Sequence, residues 1–284
     1  MTTEYIDIHP HIISPDEARY PRVPLFGKQS DWSKERPVDI AGLVKAMDEV
    51  GVGKSAIVHA STCYGHDLSY VCNAVAAYPG RFTAVGSVDL LEPDATDMIR
   101  KWAMRGLTGL RLFTGGSTKA FDVSAMDDPR SFGAWHLAGD LGMPICVQTG
   151  PEGLIQVAGL AKRFPKTKII LDHLARPVLD DGAPYHRAAS LWALAPFENV
   201  YLKLTPRATE ALAKGEAEPE SFYTRLVTTF GSGRIAWGSN FPANDGTMKG
   251  NLEAIRQATA FLPAHDRHMI FSGTAQTLYP ALAD

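Results

Sequence analysis

Two histidines spaced two residues apart, His9 and His11 in the run IDIHPH, are the first side chains in this sequence that can act together. On an extended segment residues i and i+2 share a face, so both imidazoles can reach one metal ion or polarise one carbonyl. Against this stands the plainer reading of two unrelated histidines in a turn begun by Pro10. A third histidine, His173, follows the apolar run Ile169, Ile170, Leu171 and then Asp172. Alone it reads as a satisfied core or surface residue. Other short apolar runs also end in polar residues: Asp7; His59 with Ser61 and Thr62; Asp89; Arg111; Gln148; Lys203 with Thr205 and Arg207; Ser239 and Asn240. Burying an imidazole or guanidinium without partners costs several kcal/mol, so polar residues repeated at the ends of buried runs argue for a functional pocket.

These residues need elements to position them. Brief stretches rich in Val, Ile, Leu and Phe fall at 5–9, 55–60, 82–88, 109–113, 144–148, 168–174, 200–204 and 234–238. They read as eight strands of a parallel sheet covered on both faces. Helical spacing fills the intervals at 39–50, 68–78, 95–104, 130–141, 153–164, 188–194, 220–230 and 251–261. In the first, Ile40, Leu43, Val44, Met47 and Val50 recur at steps of three and four, with Asp39 placed to cap and Gly51 to stop the helix. Eight strand–helix units predict an α/β fold, a (β/α)8 TIM barrel, with a doubly wound open sheet as the rival. No repeat, low-complexity tract or linker divides the chain, which predicts one domain over 1–284. If the barrel forms, the polar strand ends converge on one pocket. Two long connections, 10–37 and 114–129, follow strand C-termini, where a barrel keeps its active-site loops.

Composition narrows the function. The 284 residues carry 28 Lys+Arg against 31 Asp+Glu, a net charge of -3, which leaves no cation surplus for a nucleic-acid or polybasic membrane binder. No stretch approaches the roughly 18 apolar residues of a membrane span, and the start MTTEYIDIHPHIIS lacks a basic segment followed by an apolar run. The expectation is a cytoplasmic protein whose partner is a small molecule, with no nucleic acid and no membrane; nothing in the sequence conflicts with a homo-oligomer. Cys63, Cys72 and Cys146 have neither disulfide-framework nor zinc spacing and are expected to be buried thiols. Trp102, Trp135, Trp192 and Trp237 are expected to pack helices on the barrel, His136, His265 and His268 to be structural or surface residues, and Trp32 to anchor its loop in preference to contacting substrate.

The segments IDIHPH at 6–11, LDHLARP at 171–177, KLT at 203–205 and WGSNFP at 237–242 resemble the amidohydrolase superfamily, and most of all its 2-pyrone-4,6-dicarboxylate and sugar-lactone lactonases. The likeness runs from residue 5 to the terminal FSGTAQTLYP. It implies a (β/α)8 barrel that hydrolyses a cyclic ester, with His9, His11 and His173 polarising the carbonyl and Arg111, Arg176 and Arg207 placed to hold substrate carboxylates. Guanidinium forks suit that role because they bind carboxylates bidentately and stay charged. Two positions depart from the family's pattern. Metal-binding members end strand five in histidine and strand eight in aspartate; here Gln148 and Asn240 stand there. An amide cannot take a proton at neutral pH and is a poor zinc ligand. A tight metal site is therefore not expected; if a divalent metal such as zinc binds, its ligands are His9 and His11. The base that activates water is left open among His173, His59, Asp245 and a substrate group.

The resulting expectation is a metal-independent lactonase acting on a small anionic lactone, a carboxylated pyrone or sugar-acid lactone. His9, His11, His173 and Asn240 are its catalytic residues, and Ser61, Arg111, Gln148, Arg176 and Arg207 bind substrate. The alternatives are a lactone isomerase, a metal-dependent decarboxylase, and a barrel that binds carboxylates without catalysis.

Overall fold

The computed structural model describes residues 5–283. Eight strands, β1 (Tyr5–Asp7), β2 (Val52–Val58), β3 (Phe82–Gly86), β4 (Leu107–Phe113), β5 (Ile145–Gln148), β6 (Ile169–Leu171), β7 (Val200–Leu204) and β8 (Ile235–Trp237), pair in parallel in chain order. The Ile8 amide donates to the Trp237 carbonyl at 3.2 Å and the His11 amide to that of Phe241 at 2.8 Å, joining the two edges. Strand order never reverses, which is the mark of the barrel and rules out the doubly wound sheet.

Register fixes which side chains face inward, because laterally paired residues of a sheet share a face. Arg111, Cys146, Ile170 and Tyr201 are partners across four strands, and Lys203, two residues beyond Tyr201, pairs with Ala236. Ile6, Ile8, Ala56, Val58, Val85, Cys146, Ile170 and Ala236 form the inner apolar plug. The C-terminal segment seals it with Ala275, Leu278, Tyr279 and Leu282. A larger shell of leucines, valines and aromatics packs the helices on the outside, including Trp102, Trp135 and Trp237, with Trp192 packed against it.

Helices fall where periodicity places them. Asp39 caps the first, Ile40–Asp48, by accepting from the Gly42 amide at 2.8 Å, and Gly51 beyond it has φ +75°. The stretch predicted at 188–194 shortens to one turn, Ala189–Trp192. A helix at Pro206–Leu212, absent from the periodicity reading, follows β7 directly. Among the described residues no helix is long and apolar enough to cross a membrane.

β1, β2, β3 and β6 each stop two or three residues before the end of their apolar runs, and after β1 and β6 this shapes the site. β1 ends at Asp7, so His9 and His11 lie in the irregular segment after it. β6 ends at Leu171, and His173, Leu174, Ala175 and Arg176 then take φ values of 55°, 56°, 55° and 52°. Left-handed backbone costs about 1–2 kcal/mol per non-glycine residue. Four in succession break the strand and turn the chain sharply across the barrel mouth.

Candidate active site

Asp172 lies at the centre of the mouth, fully buried. Arg111 Nε donates to its Oδ2 at 2.8 Å, and Lys203 Nζ lies 2.7 Å from its Oδ1. Burial alone would raise this carboxyl's pKa, but Lys203 and Arg111 outweigh it and hold the group well below the usual carboxylate range. Lys203, also fully buried, reaches Cys146 Sγ at 3.3 Å. Arg111 also donates to Gln148 Oε1, and Gln148 Nε2 donates to the Gly115 carbonyl at 2.9 Å, tying the loop after β4 to the cluster. Asp7 sits on the β8 side, its Oδ1 accepting from the His9 amide at 2.9 Å and the Ser239 amide at 2.8 Å. Burial nevertheless pushes its pKa up to about 6.

The three histidines meet above this base. The His9 ring centroid lies 4.9 Å from that of His11 and 4.9 Å from that of His173. His9 Nδ1 is 3.6 Å from Asp172 Oδ1, and among the described residues neither of its ring nitrogens has a hydrogen-bond partner. His11 Nδ1 lies 2.8 Å from the Val58 carbonyl, which can only accept, so the proton sits on Nδ1 and Nε2 carries a lone pair. His173 Nδ1 lies 2.9 Å from Thr205 Oγ1. Burial drives all three towards the neutral form: His11 down to about 3, and His9 and His173 well below the ordinary value, helped by the cations Lys203, Arg111, Arg207 and Arg176. Close packing of backbone sets their position, since a Cβ on Gly238 would stand 2.6 Å from His9 Cβ. Only glycine allows the chain just beyond β8 so near.

Arg176 and Arg207 flank His173. Both are half-buried, and the Nε of each is buried without a partner. Burial, then the charges of Arg207 and Arg111, depress the Arg176 pKa, and Asp172 and Glu152 offset only part of that effect. Arg176 rests on the face of Phe121 at 5.0 Å. The Ser61 hydroxyl is buried and also unpartnered. Asn240 has φ 54°, a conformation asparagine tolerates better than most residues, between Ser239, which binds Asp7, and Phe241, which binds His11. Its amide donates to Asn244 Oδ1 at 2.6 Å.

Two of the open candidates for a base lie elsewhere. Asp245 pairs with Arg36 and its side chain is 91% exposed, on the outer surface. His59 Nε2 donates to the Gly65 carbonyl at 3.0 Å, and burial lowers its pKa to about 4. Trp32, expected to anchor its loop, stacks near His11 with centroids 5.1 Å apart and rings tilted by 30°. Sequence reasoning did not single out Lys203 and Asp172 as a pair; a lysine flanked by leucines inside a strand was the available signal.

The donor set departs from that of a metal centre. Gln148 is taken by Arg111 and Gly115, Asn240 by Asn244, and Asp172 by two cations. Among the described residues no three His, Cys, Asp or Glu side chains form a group that would hold a metal ion.

Residues 6–281 match the family described as amidohydrolase, and the chain belongs to it. An L-fucono-1,5-lactonase of Burkholderia ambifaria is 27% identical over 248 residues, covering 84% of this chain and 80% of that protein. Two solved structures share the fold. One, described as a probable 2-pyrone-4,6-dicarboxylic acid hydrolase of Acinetobacter baumannii with citric acid bound, has a TM-score of 0.76 at 16% identity over 98% of this chain and 99% of its own. The other, an amidohydrolase of Burkholderia multivorans with bound zinc, has a TM-score of 0.76 at 20% identity, again over 98% and 99%.

Proposed function

We propose that this amidohydrolase opens a small anionic lactone by water attack, with no tightly held metal. One observation carries the reading: three buried, neutral imidazoles stand beside two guanidinium groups, Arg176 and Arg207, whose buried Nε atoms have no acceptor among the described residues. At the mouth of the barrel such an N–H is available to a ligand, and a carboxylate is the one that guanidinium fits bidentately. The lactonase and the probable pyrone dicarboxylate hydrolase among its relatives act on lactones by name, the second on one that carries carboxylates.

The hydrogen bonds divide the work among the histidines. We assign the proton of the His173–Thr205 hydrogen bond to the hydroxyl, so that Thr205 donates to Nδ1 and His173 Nε2–H is free to polarise the lactone carbonyl. A donor placed where charge develops is worth about 10²–10³ in rate. His11 does the reverse. Its bare Nε2 accepts a proton from the attacking water, a step normally worth roughly 10²–10⁴. A base this weak suffices because water becomes acidic as it adds to the carbonyl. Electrostatics favour a proton on His9 Nδ1, facing Asp172, so His9 Nε2 is the second acceptor in the cage. Asn240 orients water or substrate, and Ser61, Gln148 and Arg111 line the site. As water adds, the carbonyl π-electron pair moves to oxygen; its return breaks the acyl C–O bond of the ring, and the proton taken up by His11 passes to the leaving ring oxygen to give a hydroxy acid.

The test is proton release by chelator-treated protein given 2-pyrone-4,6-dicarboxylate and a series of sugar-acid lactones. Turnover of at least one, unchanged by added zinc, is expected. Activity that appears only with added metal would overturn the metal-free reading, and no turnover of any would overturn hydrolysis.

A further inference from the structure

Beside the histidine cage lies a cavity of about 210 Å³ that the mechanism above does not use. It sits where the segment after β3 meets both long loops, and Arg111 is the wall it shares with the cage. Phe26 from the first loop approaches Phe113 at 5.9 Å and lies under Lys119 Nζ from the second at 4.7 Å, so the two loops close over the cavity together.

Its lining mixes two chemistries. Leu25, Phe26, Phe113 and Met126 are apolar, as are Val88, Leu90 and Leu91 of the segment after β3. Ser87, Asp89 and His66 supply a polar side. Ser87 is 2% exposed and its hydroxyl is buried with no partner. Asp89 spends Oδ1 on the Leu91 amide at 3.0 Å and keeps its other oxygen. His66 donates Nδ1–H to the Ser87 carbonyl at 3.0 Å, leaving Nε2 as an acceptor. The polar side is therefore rich in acceptors, which suits hydroxyl donors. Charge points the same way. The lining cations are Arg111, already matched by Asp172, and Lys119, 3.5 Å from Asp122. With Asp89 also present, a carboxylate would meet no surplus positive charge.

We propose that this cavity binds the hydroxylated, uncharged part of the substrate, so that the preferred lactone is that of a sugar diacid: one carboxylate on Arg176 and Arg207, and several hydroxyls against Ser87, Asp89 and His66. Their C–H faces lie on Phe26 and Phe113. The assignment rests on the lactonase reading and narrows it, excluding the flat dicarboxylate pyrone as the best substrate.

The experiment has a kinetic arm and a binding arm. D-glucaro-1,4-lactone and galactaro-1,4-lactone are compared with (5-oxotetrahydrofuran-2-yl)acetate, which keeps ring and carboxylate but lacks hydroxyls. Wild-type protein should favour at least one hydroxylated lactone more than 10-fold in kcat/KM. The S87A/D89N variant should lose most of that preference while handling the deoxy lactone within two-fold of wild type. Equal loss on both substrates, an unchanged preference, or faster opening of 2-pyrone-4,6-dicarboxylate would overturn the proposal. Calorimetry with D-glucarate and adipate reads the cavity without turnover: the variant should weaken glucarate binding at least five-fold and leave adipate unchanged. Equal weakening or none overturns the cavity assignment. Normal discrimination in binding with no turnover of any lactone overturns the lactonase reading alone.

Discussion

Arg176 and Arg207 are the residues on which substrate charge depends. Hydrogen bonds to charged groups are worth about 1.5–3 kcal/mol, so Arg176→Ala or Arg207→Ala should raise KM for a carboxylated lactone by about 10- to 100-fold with little change in kcat. Steady-state kinetics with a neutral lactone, where neither substitution should matter, provides the control. Thr205→Val tests a different residue-scale claim. Without the hydroxyl, the tautomer of His173 is no longer fixed, and kcat should fall about 10-fold or more while KM holds. An unchanged kcat would remove His173 as the carbonyl donor.

At the scale of elements, the site is made where strands stop. β6 gives way to four left-handed residues that carry His173 and Arg176, and the chain just beyond β8 presents Gly238 to the back of His9. Gly238→Ala should force the two apart, costing about 1–3 kcal/mol of stability and lowering kcat far more than it raises KM. Thermal melts and kinetics on the same preparation would check both; full activity in the variant would show that His9 need not stand there. Sequence periodicity located all eight strands, since buried apolar runs are conspicuous, but it overran β1 and β6. Ile8 and the stretch from His173 to Ala175 look like strand continuations, and only tertiary bonds to Asp7, Asp172 and Thr205 show why the chain turns. The short helix Pro206–Leu212, which holds Arg207, was invisible for the same reason: a two-turn helix has too few residues to display a period.

For the whole molecule, the barrel keeps His9, His11, His59 and His173 buried and neutral. Their folded pKa values lie below the unfolded value near 6.5, so the stability they contribute is present above about pH 6.5 and is lost as pH falls. Asp7 has the opposite sign: its folded value of about 6 exceeds the unfolded 3.8, so its contribution is present below about pH 4 and lost as pH rises through 6. Asp172, held low, changes only below the ordinary carboxylate range. Each group shifts stability by about 1.4 kcal/mol per pH unit inside its window, and four histidines outweigh one aspartate. Urea unfolding at pH 5 should therefore show a lower midpoint than at pH 7, and His59→Gln should flatten the difference. Equal midpoints would mean that these rings take up protons in the folded state. The residue types at the mouth were legible from sequence once the barrel was assumed. The pairing of Lys203 with Asp172 and the cavity beside Arg111 were not, because both join residues 30 or more positions apart through side-chain packing.

If the histidine cage opens an acidic lactone, the guanidinium groups of Arg176 and Arg207 must be what selects it. The decisive measurement is proton release by chelator-treated protein on a carboxylated lactone and on its methyl ester, in wild type and in R176A/R207A. Wild type should prefer the acid by about 10-fold or more in kcat/KM, and the double variant should treat the two alike. An undiminished preference in the variant, or no opening of either compound by wild type, would contradict this reading.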